Sequence, residues 1–189
     1  TTIPATKKEY NHYMLSFSAN SRLPTAHDIE RVFNAAFAGS MNTVLIGGAE
    51  EPYYRPADDE DLRHRIFYRE DFVASSLHEI SHWLVAGAAR RLLPDWGYWY
   101  APDGRNAAQQ AEFEQAEVKP QALEWLLSIA CGIRFRVSLD NLSEHAGIGD
   151  TFKNRVYEQA CANVRDGVSA RTQKFYDALI AEFGGLPLS

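Results

Sequence analysis

The stretch Ser75-Ser76-Leu77-His78-Glu79-Ile80-Ser81-His82-Trp83 decides how the rest of the chain is read. Residues four apart on a helix share one face a turn apart, so the imidazoles of His78-Glu79-x-x-His82 can reach one divalent cation. The flanking pattern predicts that helix. Val73, Leu77, Ile80 and Leu84 recur at helical spacing as an apolar stripe. Two starts compete, a capping box of Ser76 with Glu79 and an earlier start at Asp71, while Arg90 and Arg91 suit the negative C-terminal end. Two histidines and a carboxylate can hold zinc for hydrolysis, or Fe(II) with open positions for oxygen chemistry, and the motif alone does not choose.

Upstream, residues 25–37 carry Ile29, Val32, Phe33, Ala36 and Phe37 at helical spacing, with Gly39 as the stop. Thr43-Val44-Leu45-Ile46 reads as a buried strand closed by Gly47-Gly48, and Arg65-Ile66-Phe67-Tyr68 as a second strand leading into the motif helix. Between them, residues 50–61 hold Pro52, Pro56 and a run of acids, the chemistry of a solvated loop.

Downstream, Pro94-Asp95-Trp96-Gly97 breaks the pattern, Tyr98-Trp99-Tyr100 predicts an aromatic strand, and residues 101–105 a turn. Residues 106–118 favour helix, and Pro120 either kinks it or opens a second helix running to Cys131. A strand at 135–139, a loop at 140–149 and two amphipathic helices stopping at Asp166-Gly167 and Gly184-Gly185 complete the chain. The expected fold is a mixed α/β (α+β) domain, with a small mixed sheet flanked by helices. Residues 1–24 are expected to be poorly ordered or foreign to the natural protein, and 25–189 to form one catalytic domain.

At 189 residues with 46% hydrophobic content, one domain can build a sizeable core. The net charge of −6 and pI near 5.5 argue against a sequence-independent nucleic-acid binder. No apolar run reaches membrane-spanning length, and the start lacks a signal-peptide pattern, so a soluble cytoplasmic protein is expected. Cys131 and Cys161 sit in apolar helical patterns without metal or redox spacing, as core residues of a reducing compartment would.

Two histidines leave a metal site incomplete. The metzincin extension needs Gly at 85 and His at 88, where this chain has Val85 and Ala88. Glu112, Glu114, Glu117 and Glu124 all lie in the helical region that follows. If that helix continues through Pro120, then Glu114, Glu117, Gln121 and Glu124 share a face. Glu117 is the first choice for the third ligand and Glu114 the second. Glu79 has two readings, a group orienting a metal-bound species or a cap of the helix start.

The ordered segments Leu77-His-Glu-Ile-Ser-His-Trp83, Trp96-Gly-Tyr-Trp-Tyr-x-Pro-Asp-Gly-Arg105, Phe113-Glu-x-x-Glu-Val-Lys-Pro-Gln-Ala-Leu-x-Trp125 and Val137-Ser-x-Asp-Asn-Leu142 resemble the bacterial elongation factor P hydroxylase family. The resemblance implies a hydroxylase that adds one oxygen atom to the β-lysylated lysine of elongation factor P. It implies an iron site of His78, His82 and Glu117, with dioxygen as cosubstrate, and a fold similar to a metal-dependent ribonuclease, with the motif helix in a zincin-like setting. Tyr98, Tyr100 and Asp103 are candidates for holding the substrate's ammonium groups through cation–π and charge contacts. Arg105, like Lys119, would fix Glu117 or contact the protein partner. The competing readings are a zinc-dependent peptidase or nuclease in which Glu79 activates water, and a non-catalytic binder of the elongation factor with a closed structural metal site.

Overall fold

A computed structural model describes residues 22–95, 107–138 and 148–188. In chain order it contains α1 (Ala26–Phe37), β1 (Thr43–Ala49), β2 (Tyr53–Arg55), β3 (His64–Arg69), α2 (Val73–Val85), a 3₁₀ turn (Arg90–Leu92), α3 (Ala107–Cys131), α4 (Ile148–Asp166) and α5 (Ala170–Phe183). This is the expected mixed α/β arrangement. The sheet has the order β1-β3-β2, with β1 parallel and β2 antiparallel to β3. Among the described residues no helix is long and apolar enough to cross a membrane.

The apolar stripe of the motif helix does what its spacing requires. Leu77, Ile80 and Leu84 are buried in the core, and Trp83 packs its ring edge against Phe33 at 5.3 Å and Phe37 at 4.9 Å, both on α1. Phe175 of α5 joins the same cluster, 5.5 Å from Phe33. Aromatic contacts at these separations favour the edge-on geometry seen here, so Trp83 anchors α2 to α1 while His78 and His82 meet Glu117 of α3.

Several local expectations are corrected. The capping box at the start of α2 does not form. Phe72 is the N-cap, without a side-chain cap, and Ser76 is already inside the helix, donating to the Val73 carbonyl. The helix ends at Val85, so Arg90 and Arg91 fall in the following 3₁₀ turn. The Gly47-Gly48 pair lies within β1, at a bulge between Ile46 and Ala49. Gly48 takes φ 82°, and a Cβ on Gly47 would meet the Tyr68 ring, so the pair allows a kink and a close approach that no larger residues would. Tyr53–Arg55, inside the predicted loop, forms β2.

Pro120 does not open a second helix; α3 runs through it, the alternative in which the helix continues past the proline. Residues 135–138 form no strand, because the Ser138 backbone pairs instead with the Gln121 side chain, donating at 3.1 Å and accepting at 3.0 Å. Cys131 is buried, and burial pushes its thiol up, whereas Cys161 is only half-buried. The predicted 98–100 strand, the turn at 101–105, residues 1–21 and most of the 140–149 loop lie outside the described residues; α4 already begins within that loop, at Ile148.

Candidate metal centre

α2 and α3 pack side by side, and their facing sides carry the polar residues that the sequence put on one helical face. Glu114, Glu117, Gln121 and Glu124 are all buried, an unusual density of carboxylates for a helix interior. Glu112 and Lys119 are exposed and take no part. A buried carboxylate is costly unless cations or donors meet it. For Glu117 these are the two imidazoles: His82 Nε2 lies 3.1 Å from Oε1, and His78 Nε2 lies 3.6 Å from Oε2. The two ring nitrogens are themselves 3.1 Å apart. Gln121 donates to Glu117 Oε2 at 3.2 Å and fixes its rotamer.

One ligand atom from each of His78, His82 and Glu117 fits within 4.8 Å of the others. Imidazole nitrogen and carboxylate oxygen form a donor set suited to zinc or iron, so the residues fit a divalent metal. Glu124 sits one layer out. Its Oε2 is 2.8 Å from His78 Nδ1, the arrangement that fixes a metal-ligating imidazole's tautomer and turns Nε2 towards the metal. Glu114 faces elsewhere, accepting from Gln110 at 3.4 Å and pairing with Arg155 at 3.8 Å. Glu79 points into a cleft beside His82 rather than capping the helix. Tyr98, Tyr100, Asp103 and Arg105 lie outside the described residues.

The charges are strongly coupled. Burial depresses His78, but the Glu124 hydrogen bond and the charges of Glu124, Glu117 and Glu79 outweigh it and push His78 up to about 10. Burial raises Glu117, yet its hydrogen bond to His82 and the two imidazole charges bring it down to about 2. Burial raises the Glu79 carboxyl; His78 and His82 oppose this, and Glu117 and Asp95 add to it.

A ligating imidazole must be neutral, so metal displaces a proton from His78 at all pH values below about 10. We expect release of about one proton per metal at neutral pH, and affinity that climbs with pH through that range. Calorimetry in buffers of different ionisation enthalpy measures the release; uptake without it would refute the coupling. In the metal-free protein the raised His78 stabilises the fold below the ordinary histidine value and ceases to do so as pH rises through about 10.

Glu124→Gln keeps the size of the side chain and removes its charge. It is expected to weaken metal binding by roughly 10- to 100-fold, the usual cost of losing such an orienting carboxylate. Competition against a chelator checks this; unchanged affinity would remove Glu124 from the site.

A feature absent from the sequence reading lies at the end of α2. One guanidinium nitrogen of Arg171, on α5, sits 3.0, 2.8 and 2.9 Å from the carbonyls of Trp83, Leu84 and Ala86, and its Cζ lies 4.5 Å from the centroid of the Trp83 ring. No local signal could have found it, because the partners are more than 80 residues apart.

A mixed α/β domain with a His-His-Glu cluster between two helices could hold a metal ion at that cluster. The family model described as Elongation factor P hydroxylase matches residues 32–189, and the chain belongs to that family. It is 47% identical over 154 residues to the Elongation factor P lysine hydroxylase of Haemophilus influenzae, an alignment spanning 82% of this chain and 86% of that protein.

Proposed function

We propose that this protein is a non-heme Fe(II)-dependent hydroxylase acting on the β-lysylated lysine of elongation factor P in the cytoplasm. The observation that carries the reading is the convergence of His78, His82 and Glu117 donor atoms within 4.8 Å, in a member of this hydroxylase family. The relative's name supports the substrate protein and the lysine target. Three protein donors are fewer than a divalent iron takes, which suits a site that must also admit small molecules.

Iron(II) bound there would supply dioxygen activation beside a substrate C–H bond. The net change is insertion of one oxygen atom into that bond; the other leaves as water, with two electrons and two protons drawn from a reductant. The chain's own residues prepare the site. Glu117 offers an ionised carboxylate, and Gln121 holds it in place. Glu124 takes the His78 Nδ1 proton in a hydrogen bond, keeping the opposite nitrogen free. Glu79, beside His82, is placed to orient a small molecule at the centre or to hold a proton there. We read 25–189 as one catalytic unit, since a single core joins residues from Ala26 to Leu188. The setting of the motif helix against a small sheet suits a zincin-like or metal-dependent ribonuclease-like comparison.

The test is the intact mass of β-lysylated elongation factor P after incubation with the protein, Fe(II), a reductant and oxygen. A gain of one oxygen atom is expected, and none with unlysylated factor. Cleavage of the factor would instead favour the zinc hydrolase. No gain, with iron shown to be bound, would overturn the reading.

A further inference from the structure

A cleft of about 130 Å³ adjoins the metal trio, with His82 in its lining. Ile66, Trp83, Val85 and Pro120 supply apolar walls, Glu79 and Asp95 line it as acids, and Arg90 and Arg91 line it as bases, the Arg91 guanidinium being engaged with the Ala86 carbonyl at 2.6 Å. With Arg91 engaged by a backbone carbonyl and Arg90 by Asp95, apolar walls beside carboxylates match an alkylammonium chain able to displace Arg90, its methylenes gaining by leaving water while the charged head keeps a partner.

We propose that this cleft receives the aminoalkyl arm of the substrate and that Asp95 is the specificity-determining residue that pairs with its ammonium. This rests on the hydroxylase reading above. Asp95 already has a cation on it. The Arg90 guanidinium donates to Asp95 Oδ2 at 2.6 Å, and with side chains 51% and 29% exposed the pair is open to exchange, because solvated ion pairs contribute little. The carboxylate's position is set by backbone: Tyr54 N donates to the Asp95 carbonyl at 2.6 Å and Asp95 N to the Tyr54 carbonyl at 2.9 Å. The α3 part of the lining adds a second acceptor. Pro120 has no N–H, so the Ala116 carbonyl lacks its ordinary helical partner at position 120, and Ala116 and Pro120 both line the cleft. Carboxylate and carbonyl together are what a primary ammonium, with three donors, requires. Arg90 thus holds the place that the substrate cation takes on entry.

The experiment compares wild type, Asp95→Asn, Asp95→Glu and Arg90→Ala. Two readouts are used with β-lysylated elongation factor P: steady-state hydroxylation, and anaerobic binding by calorimetry with Fe(II) present. Asp95→Asn is expected to raise KM and Kd about tenfold with kcat within about twofold, as loss of one charge-assisted contact would. Asp95→Glu should recover most of the binding, and Arg90→Ala should leave KM unchanged or lower it. Unchanged KM and Kd in Asp95→Asn would overturn the proposal. So would an Arg90→Ala variant that reproduces the Asp95→Asn defect, since Asp95 would then act only by holding the 3₁₀ turn. If wild type binds the factor and Asp95→Asn binds it tenfold more weakly, yet neither adds oxygen, the cleft assignment stands and the hydroxylase reading fails.

Discussion

His82→Ala and Glu117→Gln are each expected to abolish oxygen transfer, a loss of at least roughly a thousandfold, together with stoichiometric metal binding. With three protein donors, removal of one leaves two, and two neutral or singly charged groups hold a divalent ion poorly. Glu117→Gln is the sharper of the two because it changes almost no volume. It removes the charge that faces both imidazoles and leaves Gln121 opposite another amide. Glu114→Gln is the matched control. Glu114 is equally buried on the same helix but turned towards Arg155, so activity and metal content should stay within about threefold of wild type. Metal analysis after gel filtration, beside the mass assay, decides the matter. Full metal content in Glu117→Gln, or its loss in Glu114→Gln, would show that the third ligand has been misassigned.

The second large effect is on stability. Arg171→Ala removes a charged donor from three carbonyls at the end of α2 and the cation stacked on Trp83. Charge-assisted hydrogen bonds to a helix C-terminus contribute about 2 kcal/mol and a partly desolvated cation–π contact about 1 kcal/mol, so a loss of about 3 kcal/mol is expected. For a chain of this length that lowers Tm by about 8 °C. Burial, with the nearby Arg91, brings the Arg171 guanidinium down to about 10. Arg171→Lys keeps the charge but not the planar stack, and should recover about half. Thermal unfolding of the metal-free proteins measures this directly; a shift below about 2 °C in Arg171→Ala would mean water replaces the guanidinium at little cost.

Local periodicity revealed α1, α2, α4 and α5, because each buries an apolar stripe that recurs every turn. Of the two starts it offered for α2, the one at Asp71 lies one residue from the observed N-cap Phe72, whereas Ser76 has the spacing for a cap but sits inside the helix, satisfied by the Val73 carbonyl. It predicted a strand after α3 from β-branched and aromatic residues, whereas Gln121, 17 residues back, pairs with the Ser138 backbone instead. β2 stayed hidden among prolines and acids, because its pairing with β3 comes from the partner strand rather than from its own composition.

The local spacing of His78 and His82, and the shared face of Glu114, Glu117, Gln121 and Glu124, follow from helical geometry and needed no coordinates. Which carboxylate meets the imidazoles depends on how α2 lies against α3, a matter of packing between distant segments. That packing turns Glu117 towards both rings, places Glu124 behind His78 and sends Glu114 to Arg155. It also brings Asp95, Pro120 and His82 to one cleft, and Arg171 to the end of the motif helix, from positions that no periodicity connects. Short-range order is written in the backbone's own repeat; the rest depends on which surfaces exclude water together.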